Sequence, residues 1–414
     1  MGRDAATHNS PDDSKGLNML KKCFTARAAS LLSAAACIFL AVSCSTDYPA
    51  QNEAPGPGYA ALFNGRDFTG WNMGGVDLDK HAWKVEDGLM RCKGEPRNPY
   101  LILTEKNYEN FDFYAEFRVS KGCNSGIFFH VPSAGRQSFI GFEAQILDDA
   151  WQNPTKNSTG AVYDVVPPMA NAMKPAGRWN QYHVRIDWPV VKIWLNGQLV
   201  QDVDFSAHPR LRYRMRSGPI GLSNHGHPVD YRNLWIKELP PTDAGGDIFN
   251  GRDLAKWDII GDADWRVEDG EIISTKGEGW LVTREEYDRV FFQAYVDSDT
   301  LTTRDARIHY RWKNVDDTGC PVALYDYRTA KKYTAQYGKN IPPDVVRPMT
   351  SRWFLYRIAS ADRESIVYLN EHVVSENRLL GEDPRGRIAV WRGADDGIIR
   401  IREPKLRVLE GPGI

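Results

Sequence analysis

The chain has 414 residues, more than one hydrophobic core usually serves, so two folded domains are expected. Its 52 basic and 54 acidic residues leave a formal net charge of -2. That balance argues against a general nucleic-acid binder, which needs a basic footprint.

The first 44 residues read as a targeting segment. Polar residues 1–18 precede Met19, the expected start, and Lys21, Lys22 and Arg27 precede an apolar run from Ala28 to Val42. The run suits a signal-peptide core and is short for a spanning helix. Ser43-Cys44 resembles a bacterial lipoprotein cleavage site with Cys44 as the acylated first mature residue, although Ala41 stands where that motif prefers Leu. An exported protein, lipid-anchored to the bacterial cell envelope and touching membrane only through its anchor, is the expectation. Residues 45–57 then form a Pro- and Gly-rich tether. Beyond it lie only Cys92, Cys123 and Cys320, which offer no metal-ligand spacing and no even disulfide set.

From residue 58 to 240 the pattern is all-β. Short alternating segments at Phe113–Val119, Ile127–Val131, Phe142–Ile146, Tyr182–Trp188, Val191–Leu195 and Leu234–Ile236 are separated by Gly, Pro, Asn and Asp. Such spacing suggests a sandwich or jelly roll. Most of the 13 Trp and 18 Tyr would be its core. Glu116 and Arg118 fall on the outward parity of their strand. Asn124-Ser125-Gly126 leads into a strand ending at His130. In Phe142–Ile146, Glu143 and Gln145 share the polar face, and Asp148 joins them only if the strand bulges after Gln145. Trp151 sits in a polar loop, Asp149–Gly160, where an exposed aromatic could bear a sugar ring or merely anchor the loop. Asn196-Gly197 between apolar runs predicts a two-residue hairpin. Arg210, Arg212, Arg214 and Arg216 alternate, as on a solvated strand face. Ser223 to His227 then supplies Ser223, His225 and His227.

The pattern repeats over residues 245–410. Phe63-Asn64-Gly65-Arg66-Asp67 and Trp71 return as Phe249-Asn250-Gly251-Arg252-Asp253 and Trp257. Leu195-Asn196 returns as Leu369-Asn370, and Gly218-Pro219-Ile220 as Gly386-Arg387-Ile388. Pro240 to Gly246 is the natural boundary. The second copy keeps the framework and loses the polar groups: Ala306–Trp312, Val322–Tyr327 and Ala389–Gly393 contain no Glu-x-Gln-x-x-Asp and no His-Gly, and Glu116 aligns approximately with Ala294. The lost groups are therefore dispensable for folding such a domain.

Glu116, Arg118, His130, Glu143, Gln145, Ser223 and His225 could meet on one open face. A carboxylate and a histidine make an acid–base pair near neutral pH. Glu143, Asp148, His225 and His227 could instead hold a divalent cation through O and N donors.

The ordered set Phe63 to Trp71, Asn124-Ser125-Gly126, Glu143-x-Gln-x-x-Asp148, Gly160-Ala161-Val162-Tyr163, Arg178-Trp179-Asn180, Leu195-Asn196-Gly197 and His225-Gly226 with Tyr231-Arg232-Asn233-Leu234 resembles the 3-keto-disaccharide hydrolase domain family. The resemblance covers residues 58–240 nearly throughout and the second copy in framework only. It implies two tandem concanavalin-A-like jelly-roll β-sandwiches and an oligosaccharide or glucoside substrate already oxidised at C3. His225 or Glu143 would remove the C2 proton, and Arg118, Arg232 or a cation held by Asp148 would stabilise the enolate. Asn124, Ser125 and Gln145 would orient hydroxyls, with Glu116, His130, Tyr163 and Trp151 as further binding residues. Where family members often carry Gln before His-Gly, this chain has Ser223-Asn224. Two other readings stand beside it: a retaining β-glucanase, whose catalytic strand has similar spacing, and a non-catalytic glycan-binding protein.

Overall fold

The computed structural model describes residues 53–75, 80–242, 248–297, 306–324, 352–378, 384–394 and 396–409. The targeting segment, Cys44 and residues 325–327 lie outside these. The described chain is two tandem antiparallel β-sandwiches. In the first, the large sheet runs in the order Gln198–Asp204, Val190–Leu195, Trp179–Asp187, Phe111–Val119, Val229–Glu238, Leu89–Cys92 and Trp83–Glu86, with Ala60–Ala61 also pairing to Val229–Glu238. The small sheet runs Trp71–Asn72, Leu101–Thr104, Gly221–Ser223, Asn124–Phe129 and Phe142–Leu147. In the second, the large sheet runs Arg266–Glu268, Glu271–Ser274, Ile399–Val408, Val290–Asp297, Trp353–Ala361, Glu364–Leu369 and His372–Arg378. Its small sheet runs Trp257–Gly261, Gly279–Thr283, Arg387–Arg392, Arg307–Trp312 and Cys320–Ala323.

Period-2 alternation explains the sandwich. Phe111, Phe113, Ala115 and Phe117 from the large sheet meet Ile127, Phe129, Phe142, Ala144 and Ile146 from the small one, all buried in one core. The repeated Phe-Asn-Gly-Arg-Asp motif is a folding device. Asn64 Oδ1 accepts the Arg66 and Asp67 N–H groups, and the Trp71 indole closes the turn by donating to the Leu62 carbonyl. Asn250 and Trp257 repeat these bonds. The predicted hairpin forms between Leu195 and Gln198, with Asn196 and Gly197 both at positive φ, 52° and 81°.

Two readings from the pattern need correction. The four arginines lie in turns rather than on a strand, and Arg214 is buried, donating to the Ser138 and Gly141 carbonyls. Burial pushes its guanidinium down to about 9. Glu116, paired with Arg232 and Gln181, corresponds to Tyr295, paired with Arg402 and Leu355, rather than to Ala294.

The two sandwiches pack through the outer face of the second large sheet. Phe291, Tyr295, Leu355 and Ala359 are buried there against Ala134, Ile140, Tyr213 and Met215 of the first copy. The Tyr295 hydroxyl accepts the Ser133 N–H at 3.1 Å. Arg357, fully desolvated, donates to the Tyr213 and Asn370 carbonyls, each at 2.7 Å.

Candidate active site

The first small sheet turns its non-core face to a cleft of about 590 Å³. The strand Phe142–Leu147 supplies Glu143, Gln145 and Leu147, and its neighbour Asn124–Phe129 supplies Asn124. Their register is unbroken from Asn124↔Leu147 to Phe129↔Phe142. The segment Gly160 to Tyr163 runs along the free edge of the Glu143 strand, where the Tyr163 N–H bonds the Glu143 carbonyl at 3.0 Å and Tyr163 lines the cleft.

The three residues of the Asn124-Ser125-Gly126 motif serve different ends. Asn124 faces the cleft, and its Oδ1 is buried with no hydrogen-bond partner among the described residues. Such an acceptor is costly unless a ligand or water bonds it. Ser125 points the other way, into the core, where it bonds the Tyr231 hydroxyl at 3.0 Å and the Ser223 carbonyl at 2.9 Å. Gly126 leaves room for the Glu143 carboxyl: a Cβ there would lie 2.2 Å from Oε1.

His225 reaches the same cleft from the loop after Gly221–Ser223. Asn224, fully buried, fixes that loop by donating to the Pro96 carbonyl and accepting the Gly226 N–H. The Tyr100 hydroxyl lies 3.0 Å from His225 Nε2, with the rings edge-on. Burial, reinforced by Arg97 and His227, lowers the His225 pKa, so the ring is neutral at pH 7. Burial raises Glu143 to about 8, with the Arg136 charge pulling the other way, so its carboxyl keeps a proton at pH 7. Tyr100 is pushed up by burial and stays a phenol.

Other expected site residues lie elsewhere. Glu116, Arg118 and Arg232 belong to the other sheet and form a ladder on its outer face. Arg232 pairs with Glu116 at 2.6 Å, Arg118 pairs with Asp230 at 2.6 Å, and both guanidiniums stack on Trp179. They cannot stabilise an enolate in the cleft, because the sandwich core lies between. His130 is a buried left-handed residue with φ 53°, whose ring nitrogens face the Met215 and Glu109 carbonyls. A neutral ring can donate to only one of them, yet burial dominates and pushes it down to about 4. Gly218 gives its backbone room, since a Cβ there would sit 2.8 Å from the His130 carbonyl carbon. Arg311 with φ 59° and Gly386 repeat this arrangement, which explains the shared glycine.

Asp148 does not join the cleft. No bulge follows Gln145, and its carboxylate instead accepts the Gly122 N–H at 2.9 Å. Asp148 and His225 therefore do not assemble a cation site, and no group of three or more His, Cys, Asp or Glu gathers among the described residues. Trp151 is 84% exposed and outside the cleft lining; its loop contributes Asn157 instead.

Tyr100, Arg136, Gln137, Ser138 and Asn157 line the cleft without having been marked by the pattern. One signal was available for three of them. The connection between the strands of Asn124 and Glu143 must pass the end at which Glu143 sits, and Arg136 to Ser138 lie on it.

A family model described as 3-keto-alpha-glucoside-1,2-lyase-like domain matches residues 58–237 and 246–406. A 3-keto-disaccharide hydrolase of Bacteroides thetaiotaomicron is 28% identical over 229 residues, covering 44% of this chain and 79% of the relative. A Parabacteroides distasonis structure, provisionally described as a glycosyl hydrolase, is 28% identical, covering 44% of this chain and 95% of its own, with a TM-score of 0.39. A Bacillus subtilis carbohydrate binding module is 15% identical, covering 41% and 96%, with a TM-score of 0.29.

Proposed function

The chain belongs to the 3-keto-alpha-glucoside-1,2-lyase-like domain family, and from that premise we propose that its first copy cleaves 3-keto-glucosides or 3-keto-disaccharides. A ketone at C3 acidifies the hydrogen at C2. Neutral His225 takes that proton, and the electron pair passes into the enolate at O3. The enolate then expels the aglycone oxygen from C1, leaving a C1–C2 double bond conjugated to the ketone. Glu143, still protonated, gives its proton to the departing oxygen. Water adding across the double bond completes a net hydrolysis. Asn124, Gln145 and Tyr163 orient the sugar.

One observation supports this division of roles above the others. Glu143 and His225 line one cleft, yet their protonation is displaced so that at neutral pH one holds a proton and the other lacks it. A retaining glucanase is less well served, since it needs two carboxylates across the bond, and among the described residues Glu143 is the carboxylate lining the cleft.

The test follows exchange at C2. In D2O, Glu143→Gln should still exchange the C2 hydrogen of a 3-keto glucoside while aglycone release falls about 10²- to 10⁴-fold. His225→Ala should lose both. Exchange lost in Glu143→Gln and retained in His225→Ala would reverse the roles. Release from unoxidised β-glucan would favour the glucanase.

Residues 58–240 would form the active domain and 245–410 a non-catalytic one, on an exported, Cys44-acylated chain. Cys44→Ala should then abolish palmitate labelling and release the protein from the envelope.

A further inference from the structure

Among the described residues, one turn of the second copy meets the cleft-lining residue Arg136 itself. Leu195-Asn196-Gly197 in the first copy corresponds to Leu369-Asn370-Glu371 in the second. The Asn keeps the same bond in both copies: Asn196 and Asn370 each accept an N–H from the adjacent strand, from Gln181 and Leu355. The glycine is not retained. Glu371 Oε2 accepts the Arg136 N–H at 3.0 Å, on the loop that rims the cleft. Gly135 makes the approach possible, since a Cβ there would lie 2.9 Å from Asn370 Cβ and 3.0 Å from Glu371 Oε2. From beneath, Arg214 holds the same loop by its Ser138 and Gly141 carbonyls.

We propose that Glu371 is a positioning residue: the degenerate second copy reaches into the first and seats Arg136, the cation at the rim of the cleft, beside Glu143. The consequence for the reaction rests on Glu143 acting as the proposed acid. The seating of Arg136 does not.

Glu371 faces His372, 3.5 Å away, Arg357 and the Arg136 N–H. Burial opposes its ionisation, but the His372 contact and the N–H donors outweigh it and hold the carboxyl below its ordinary range. It is therefore a fixed anion at neutral pH. Glu143 faces Arg136, Tyr100, Tyr163 and His225 across the cleft, with Tyr182 and Tyr231 behind it. Arg136 is the charge in that set that opposes the rise in Glu143.

The experiment uses the full chain with 13C-labelled glutamate side chains, the Glu143 signal being assigned by its loss in Glu143→Gln. Glu371→Ala should move the Glu143 titration midpoint upward and lower kcat/KM on a 3-keto glucoside about tenfold. Arg136→Ala should do the same, and the double variant no more. Glu371→Gln, which keeps an oxygen to accept the Arg136 N–H, should restore the wild-type values. Glu371→Asp, one methylene short, should fall between and serves if the alanine variant does not fold. A Glu143 midpoint that moves in Arg136→Ala but stays put in Glu371→Ala or Glu371→Asp would overturn the proposal. Wild-type protein inactive on 3-keto glucosides would defeat the functional reading instead, while the titration would still decide the seating.

Discussion

The outer faces of the two large sheets share one register and live in opposite environments. In the first copy, Asp112, Glu116, Gln181 and Arg185 occupy four of its positions; His183 and Arg185 bond the Asp112 carboxylate, and Arg232 pairs with Glu116. In the second, the paired equivalents are Phe291, Tyr295, Leu355 and Ala359, buried against the first copy. The small sheets invert the contrast. Glu143 and Gln145, paired to Phe128 and Gly126, give way to Pro321 and Ala323, paired to His309 and Arg307. The two copies thus differ in which sheet is specialised: one has a polar small sheet lining a cleft, the other an apolar large sheet buried against its neighbour. The core-facing parity is predominantly apolar in both, because burial of that face drives the sandwich to form.

Reversing these differences one at a time should break the comparison in graded steps. The largest effect is expected at Gly126. Gly126→Ala would drive a methyl into the Glu143 carboxyl, and activity should fall on the order of 10²-fold with little change in secondary structure by circular dichroism. Arg307, the paired equivalent, has no glutamate to displace.

Next comes the shared outer face. Leu355→Gln gives the second copy the first copy's residue at a fully buried site. It should cost roughly 2–4 kcal/mol by chemical or thermal unfolding. Its mirror, Gln181→Leu, should stay within about 0.5 kcal/mol. Equal costs would mean that the second face is not an interface.

A smaller loss is expected from Glu116→Ala, which should cost roughly 1.5–3 kcal/mol by stranding Arg232 and leave kcat/KM unchanged. A large drop in kcat/KM without loss of stability would return Glu116 to the site.

The last test is pH. The buried His130 is neutral when folded, so its contribution is present above its ordinary pKa and is lost as pH falls toward its folded value of about 4. Unfolding free energy should decline over that window by about 1.4 kcal/mol per unit. His130→Asn should remove that slope. In the second copy, Arg311 takes the same left-handed position.

Local chemistry was readable from the chain. Alternation announced the strands, Asn196-Gly197 its hairpin, and the paired Phe-Asn-Gly-Arg-Asp motifs the duplication, because each depends on neighbours in sequence. Glu143 and Gln145 were legible as a polar pair for the same reason, and the motif order pointed to the family. Folding then decided what parity and spacing could not. Whether a polar residue on an outward parity faces the cleft depends on which sheet carries its strand; Glu116, Arg118 and Arg232 had the right chemistry on the wrong sheet. Asp148 needed a bulge that backbone pairing did not supply. Tyr100 meets His225 only because distant strands pair, and Glu371 meets Arg136 across two domains. Side-chain alternation is a property of a few successive residues. The company a side chain keeps is set by strand order and domain packing, which bring together residues more than two hundred positions apart.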